Sequence, residues 1–312
     1  MEKIATRDAY GKTLAKLGET NPRIVVLDAD LSKSTKTVDF AKKFPERFFN
    51  MGIAEANLMG NAAGMAAVGK IPFASTFAIF ATGRAFEQVR NSIAYPKLNV
   101  KIAATHAGVT VGEDGGSHEA IEDIAIMRVL PNMTVIVPCD GPSTEAAVNA
   151  AAEMDGPVYI RLGRPAVPVM YETAVPFTIG KANLLRSGEH VSIVAAGIMV
   201  NIAMQAAELL AAEGILADVV DMHTIKPIDG TMLAACAART GAIVTAEEHS
   251  VLGGLGGAVA EFCSEHCPIP VVRVGVNDIF GQSGKPDELL QEYGLTAEGI
   301  ITAVRKALAL KK

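Results

Sequence analysis

Short runs of β-branched and other apolar residues alternate along this chain with longer Ala-rich stretches, the pattern of a parallel sheet covered by helices on both faces. Thr6 to Glu19 is predicted as a helix, and RIVVLDAD as a strand ending in the carboxylates Asp28 and Asp30. A helix is expected over Ala54 to Val68, a short strand over Phe73 to Ser75 and another helix over Arg84 to Ile93. VKIAATHAG reads as a strand with His106 near its end, MTVIVPCD as the next, and the helix Ser143 to Met154 leads into VYIRLGR. PAVPVMYETAVP then breaks the alternation with Pro165, Pro168 and Pro176, as a linker does. Beyond it the strands HVSIVAAG, LADVVDMHTI, GAIVTAEEHS and IPVVRVGV alternate with helices over Val200 to Glu213 and near Gly230 to Arg239. The expectation is two doubly wound α/β domains, 1–168 and 181–312, joined by a linker at 169–180.

In open sheets of this kind ligands gather beyond the carboxyl ends of the strands. Asp28, Asp30, His106 and Arg164 all fall at such ends. Arg161 precedes Arg164 by three, so on an extended chain the two point to opposite faces. The register turns Arg164 toward the cleft and leaves Arg161 to a structural ion pair. Glu55 stands out differently: in FFNMGIAEANLMGNAAGMAAVG it is the only charged side chain between Arg47 and Lys70. A lone carboxylate on an apolar helix must reach solvent, find a partner or keep its proton. Burial without a positive partner raises a glutamate pKa, and such groups cluster at functional sites. The structural alternative is a helix N-terminus capped by Asn50 or Gly52, with Glu55 favoured by the dipole.

Composition narrows the classes. The length of 312 residues suits about two domains, each with its own core. A net charge of −6, with no Lys/Arg-rich block, argues against a nucleic-acid surface. Cys139, Cys236, Cys263 and Cys267 follow neither disulfide nor zinc spacing. His106 and His118 are twelve apart without a compact ligand pair, so no metal site is expected on this chain. Lys3, Arg7 and Asp8 interrupt the first residues, which excludes a signal peptide, and Asn and Glu within the Glu55 run argue against a membrane span. A cytoplasmic, soluble protein is expected. GGLGGAV after His249 lacks the context of a dinucleotide fingerprint and reads as a tight turn with close helix packing.

GIAE, STFAIF, GEDGGSH and IRLGRP occur in one order, flanked by KIATRDAYGKTL at the start and SGKPDELLQEYGLTAEGI near the end. In these strings, over nearly its whole length, the chain resembles the C-terminal half of transketolase. The resemblance implies a pyrimidine-binding thiamine diphosphate fold followed by a transketolase C-terminal-like domain. It also implies transfer of a two-carbon ketol unit from a ketose phosphate to an aldose phosphate, as in the pentose phosphate pathway.

The family's glutamate matches Glu55, the catalytic acid that engages N1′ of the cofactor's aminopyrimidine. Its aromatic wall matches Phe77 and above all Phe80, and an aspartate near the cofactor and the subunit contact matches Asp30. Asp114 and His118 match groups that hydrogen-bond sugar hydroxyls; Arg7, Ser34, His106 and Arg164 match the phosphate end of the substrate. Taken alone, two Phe at this spacing are ordinary core, and Asp30 could equally be an N-cap. Gly83 departs from the pattern, standing where many transketolases place a Tyr or no residue. Either the pocket is slightly looser there, or a partner side chain fills it.

The family holds its diphosphate through Mg²⁺ on a GDG motif followed by Asn, and this chain has no such element. The resemblance therefore implies a split enzyme: a second, N-terminal chain carries the diphosphate and Mg²⁺ site, pairing as α2β2, and this chain acts only in that complex. Rival assignments on the same fold are a deoxyxylulose-phosphate-synthase-like subunit, a sulfosugar transketolase subunit and a 2-oxoacid dehydrogenase β subunit. A non-catalytic scaffold would have no use for Glu55, Asp114, His118 and Arg164 together. In the second domain His223, Glu248 and His249 read as interface or structural groups.

Overall fold

A computed structural model describes residues 2–171 and 175–311. Its strands are β1 (Lys3–Ala5), β2 (Ile24–Asp28), β3 (Phe48–Asn50), β4 (Ile71–Phe77), β5 (Lys101–Thr105), β6 (Thr134–Ile136), β7 (Val158–Arg161), β8 (Ala166–Pro168), β9 (Asn183–Arg186), β10 (Val191–Ala195), β11 (Ala217–Asp221), β12 (Thr224–Lys226), β13 (Ile243–Ser250) and β14 (Val271–Val276). The first sheet runs β12-β6-β7-β5-β4-β2-β3 and the second β14-β13-β10-β11-β9, with β1 and β8 forming a separate antiparallel pair. All neighbours in the first sheet are parallel except β12 on β6; in the second only β9 is antiparallel. Strands buried along their whole length, such as β2, β5, β10 and β11, account for the continuous apolar runs, since helices cover both faces.

Chain order reverses between β2 and β4, the switch point beside which ligand crevices open in such sheets. The helix Glu55–Ala67 packs against this point. It turns Leu58, Met59, Ala62 and Ala63 into the core and leaves Ala56, Asn57, Gly60, Asn61, Gly64 and Ala67 exposed. A Cβ at Gly60 or Gly64 would meet nothing within 4 Å, so this small-residue face is bare.

Several boundaries move. The strand expected over Phe73–Ser75 spans Ile71–Phe77, because it is central and pairs with both β2 and β5. The helix expected from Arg84 starts at Phe80, as wide π turns over Phe80–Arg84 and Val89–Ala94 flank a short α segment. LADVVDMHTI is two strands: β11 joins the second sheet and β12 crosses to the edge of the first. The unassigned C-terminal stretch is the helix Ala297–Leu310. Of the linker, residues 172–174 lie outside the described residues; Asp140 receives the Met170 and Tyr171 amides at 2.7 and 3.0 Å where it begins. Among the described residues no helix is long and apolar enough to cross a membrane.

Candidate active site

The chemistry gathers at the carboxyl ends of β4, β5 and β7. Glu55 is the first residue of its helix and 2 % exposed. Its two carboxylate oxygens accept from Arg84 Nη1 at 3.0 and 2.9 Å. Of the three outcomes open to a lone carboxylate, Glu55 takes a partner: the cation comes from 29 residues downstream, off the wide turn that follows β4. The Arg84 guanidinium also lies over the Phe80 ring, 4.4 Å from its centroid, so Glu55 and the aromatic wall share one clamp.

Phe77 and Phe80 stack at 6.0 Å, and His118 turns its edge to Phe80 at 5.4 Å. Phe77 also stacks with His106, at 3.9 Å. His106 is 3 % exposed with a left-handed backbone (φ 59°), which tips its ring from the strand end toward Phe77. Arg7 Nη1 donates to the Ser34 carbonyl at 3.1 Å and approaches His106 Nε2 at 3.3 Å. Arginine is only a donor, so Nε2 accepts and the ring proton sits on Nδ1, facing Thr105 Oγ1 at 2.9 Å. Burial foremost, then the charges of Arg7 and Arg164 and the neighbouring His118, push His106 down to about 3. At neutral pH it is an uncharged ring, a hydrogen-bonding group beside fixed positive charge.

Arg164 is about a third exposed, donating to the Val111 carbonyl with Glu113 Oε2 at 3.4 Å. Arg161 is buried as expected, on Asp123 Oδ2 at 2.8 Å and the Ala120 and Glu248 carbonyls. Arg7, His106, Phe77, Phe80, His118, Arg84 and Glu55 thus form one connected wall, which Ser34 joins through its backbone carbonyl and whose His106 and Arg7 feel the charge of Arg164. Asp114 stands on the exposed tip of its loop. Asp30 lies apart: it is exposed, left-handed (φ 63°), and accepts from Asn50 Nδ2 at 2.8 Å. It caps no helix; its neighbour Asp28 instead holds the turn, accepting from the Leu31 amide, Thr35 and Thr37. Arg84 is the group at this site that the sequence reading missed. One signal pointed to it, since it is the first charged residue after Lys70.

A buried carboxylate beside an aromatic ring suits the pyrimidine end of thiamine diphosphate, where a proton and a flat wall are needed. Among the described residues no group of three or more His, Cys, Asp or Glu side chains is placed to hold a metal ion.

Residues 2–170 match the family "Transketolase, pyrimidine binding domain" and residues 180–300 match "Transketolase, C-terminal domain". The chain is 52% identical over 305 residues to a "Putative transketolase C-terminal section" of Methanocaldococcus jannaschii, covering 97% of this chain and 96% of that protein. It is 46% identical over 312 residues to the "6-deoxy-6-sulfo-D-fructose transketolase subunit SqwH" of Clostridium sp. strain MSTE9, covering 100% and 97%. A solved structure described as "Split gene transketolase, inactive beta4 tetramer" superposes with a TM-score of 0.92 at 63% identity, covering all of both chains.

Proposed function

The chain belongs to the transketolase family, and from that membership we propose that it is the C-terminal subunit of a two-chain enzyme moving a two-carbon ketol unit between sugar phosphates. When bound, thiamine diphosphate supplies a nucleophilic carbon and an electron sink for cleaving the bond beside a ketone. Glu55 would share a proton with the pyrimidine N1′, its carboxyl oriented by Arg84. Phe80, backed by Phe77, would support the ring and exclude water from it. Arg7 and Arg164 supply the fixed positive charge that an anionic substrate end needs, and neutral His106 adds a hydrogen bond. Asp114 and His118 would meet sugar hydroxyls, and Asp30 the cofactor's edge at the subunit contact.

The observation that carries this reading is the buried Glu55 carboxylate at the head of a helix whose opposite face is bare. That bare small-residue face offers a surface to a second polypeptide, and the sequence, which lacks a GDG…N element, calls for one to carry the diphosphate and Mg²⁺. Pairing two of each chain as α2β2 follows the symmetry of stable oligomers. That the 63%-identical chain forms an inactive tetramer without other subunits agrees with activity residing in the complex. A cytoplasmic place suits sugar phosphate substrates. The test is ketol transfer with the chains alone and mixed. Activity and metal-dependent cofactor binding should appear only in the mixture, and tight binding by this chain alone would sink the reading. The sulfosugar relative, matched along the full chain, favours one variant: Arg7 and Arg164 would hold a sulfonate as readily as a phosphate. Parallel assays with sulfo- and phosphosugar donors decide between them.

A further inference from the structure

Glu119 follows His118 directly and is 2 % exposed, yet neither of its carboxyl oxygens has a well-formed hydrogen bond, the Gln282 backbone amide approaching without completing one. Its side chain presses on Gly281 in the second domain, so closely that a Cβ there would collide with Oε2. The neighbouring turns interlock the same way. A Cβ at Gly116 would strike the Gly281 carbonyl, and one at Gly115 would stand 2.5 Å from Ser283 Oγ. Such approaches are open only to glycine. The titratable groups facing Glu119 from the packed elements are the Glu248 carboxyl of β13 and the Tyr293 phenol. Glu248 is already engaged by the Thr110 amide at 2.6 Å, and Tyr293 Oη donates to the Phe280 carbonyl at 3.3 Å.

We propose that Glu119 is a positioning residue: it docks the loop 112–118 on the second domain and so sets where Asp114 and His118 meet the substrate. This deepens the function proposed above and rests on its assignment of that loop to sugar binding. Burial foremost, then the Glu248 carboxylate, push Glu119 up to about 7. As a neutral acid it sits against Gly281 without the penalty of a buried charge. As an anion it has no counter-ion there and is driven toward water, pulling the loop off its support. The second domain thereby acquires a role in a reaction whose other groups all lie in the first.

Amide hydrogen exchange on the full chain reads the docking without substrate. Corrected for intrinsic rates, protection over 112–118 should fall roughly tenfold from pH 6 to pH 8, as the protonated fraction does. Glu119→Gln should hold it constant. Gly281→Ala, whose methyl displaces the side chain, should leave protection low at both values. In the reconstituted two-chain enzyme, KM for the ketose should rise over the same interval at unchanged kcat, and Glu119→Gln should flatten the rise. Exchange that is independent of pH in the wild type, or equally pH-dependent in Glu119→Gln, overturns the proposal. Exchange as expected with a flat KM upholds the docking and overturns the assignment of the loop to substrate.

Discussion

The two sheets offer the same kind of edge to the same kind of crevice, but their polar side chains are used in opposite ways. At the carboxyl ends of the first sheet, Arg164 and Asp114 keep solvent access, and Arg7 and His106 engage each other with donors to spare. At the same ends of the second, the acids are engaged by the protein. Glu247 accepts the Leu255 and Gly256 amides at 2.7 and 2.8 Å, which is what the glycine string after His249 serves. Asp221 receives the Tyr171 hydroxyl at 2.8 Å and the Cys139 thiol at 3.5 Å, and Glu248 the Thr110 amide. The difference comes from what lies opposite: the acids of the second sheet meet the first domain and the start of the linker. A strand end becomes a site only where the protein leaves its donors and acceptors unspent.

Substitutions can break this contrast. The largest effect is expected from Glu55→Gln, which should lower kcat of the two-chain enzyme by about 10²–10⁴, the range for losing a positioned acid. Its thermal midpoint should stay close to the wild type; undiminished turnover would remove Glu55 from the chemistry. Arg164→Ala should raise KM for phosphorylated ketoses by roughly ten- to a hundredfold, the worth of a charge-assisted hydrogen bond. Unphosphorylated ketoses should be almost unaffected, so equal losses with both would contradict an anion-binding role.

In the second domain the same kind of change should touch stability alone. Glu247→Ala leaves two helix amides unsatisfied and should cost about 1–2 kcal/mol in urea unfolding, as lost caps do. Specific activity of the folded complex should be unchanged; a fall in kcat would mean that this edge is a site after all. The subtlest effect concerns Asp221, which burial pushes up to about 7. Between its ordinary value and 7 the folded chain keeps a proton that the unfolded chain has released, so stability declines as pH rises through that window. Asp221→Asn should flatten this part of the Tm–pH curve, and parallel curves would show that the carboxyl is not the titrating group.

Periodicity was enough for the alternation of strands and helices, because strands covered on both faces have no polar side to blur them. It could not say which sheet a run joins: Met222 and His223 carry the chain from one sheet to the other with no Gly or Pro to mark the break. The ion pair expected of Arg161 agrees with its burial on Asp123, although the strand ends at Arg161 and its parity does not reach Arg164. The partner of Glu55 was not legible, since a contact across 29 residues depends on how far the turn after β4 winds back. Nor could the sequence tell that Asp30 bonds Asn50 and caps nothing, because that depends on its left-handed backbone.

The three residues Thr224–Lys226 change what a cut in this molecule would do. Pairing with Thr134–Ile136, they are a graft from one lobe onto the other, and removing them would bare a row of amides and carbonyls open to foreign strands. A protease nicking the proline stretch would therefore sever the polypeptide without parting the lobes, and a fragment truncated there would be prone to aggregate.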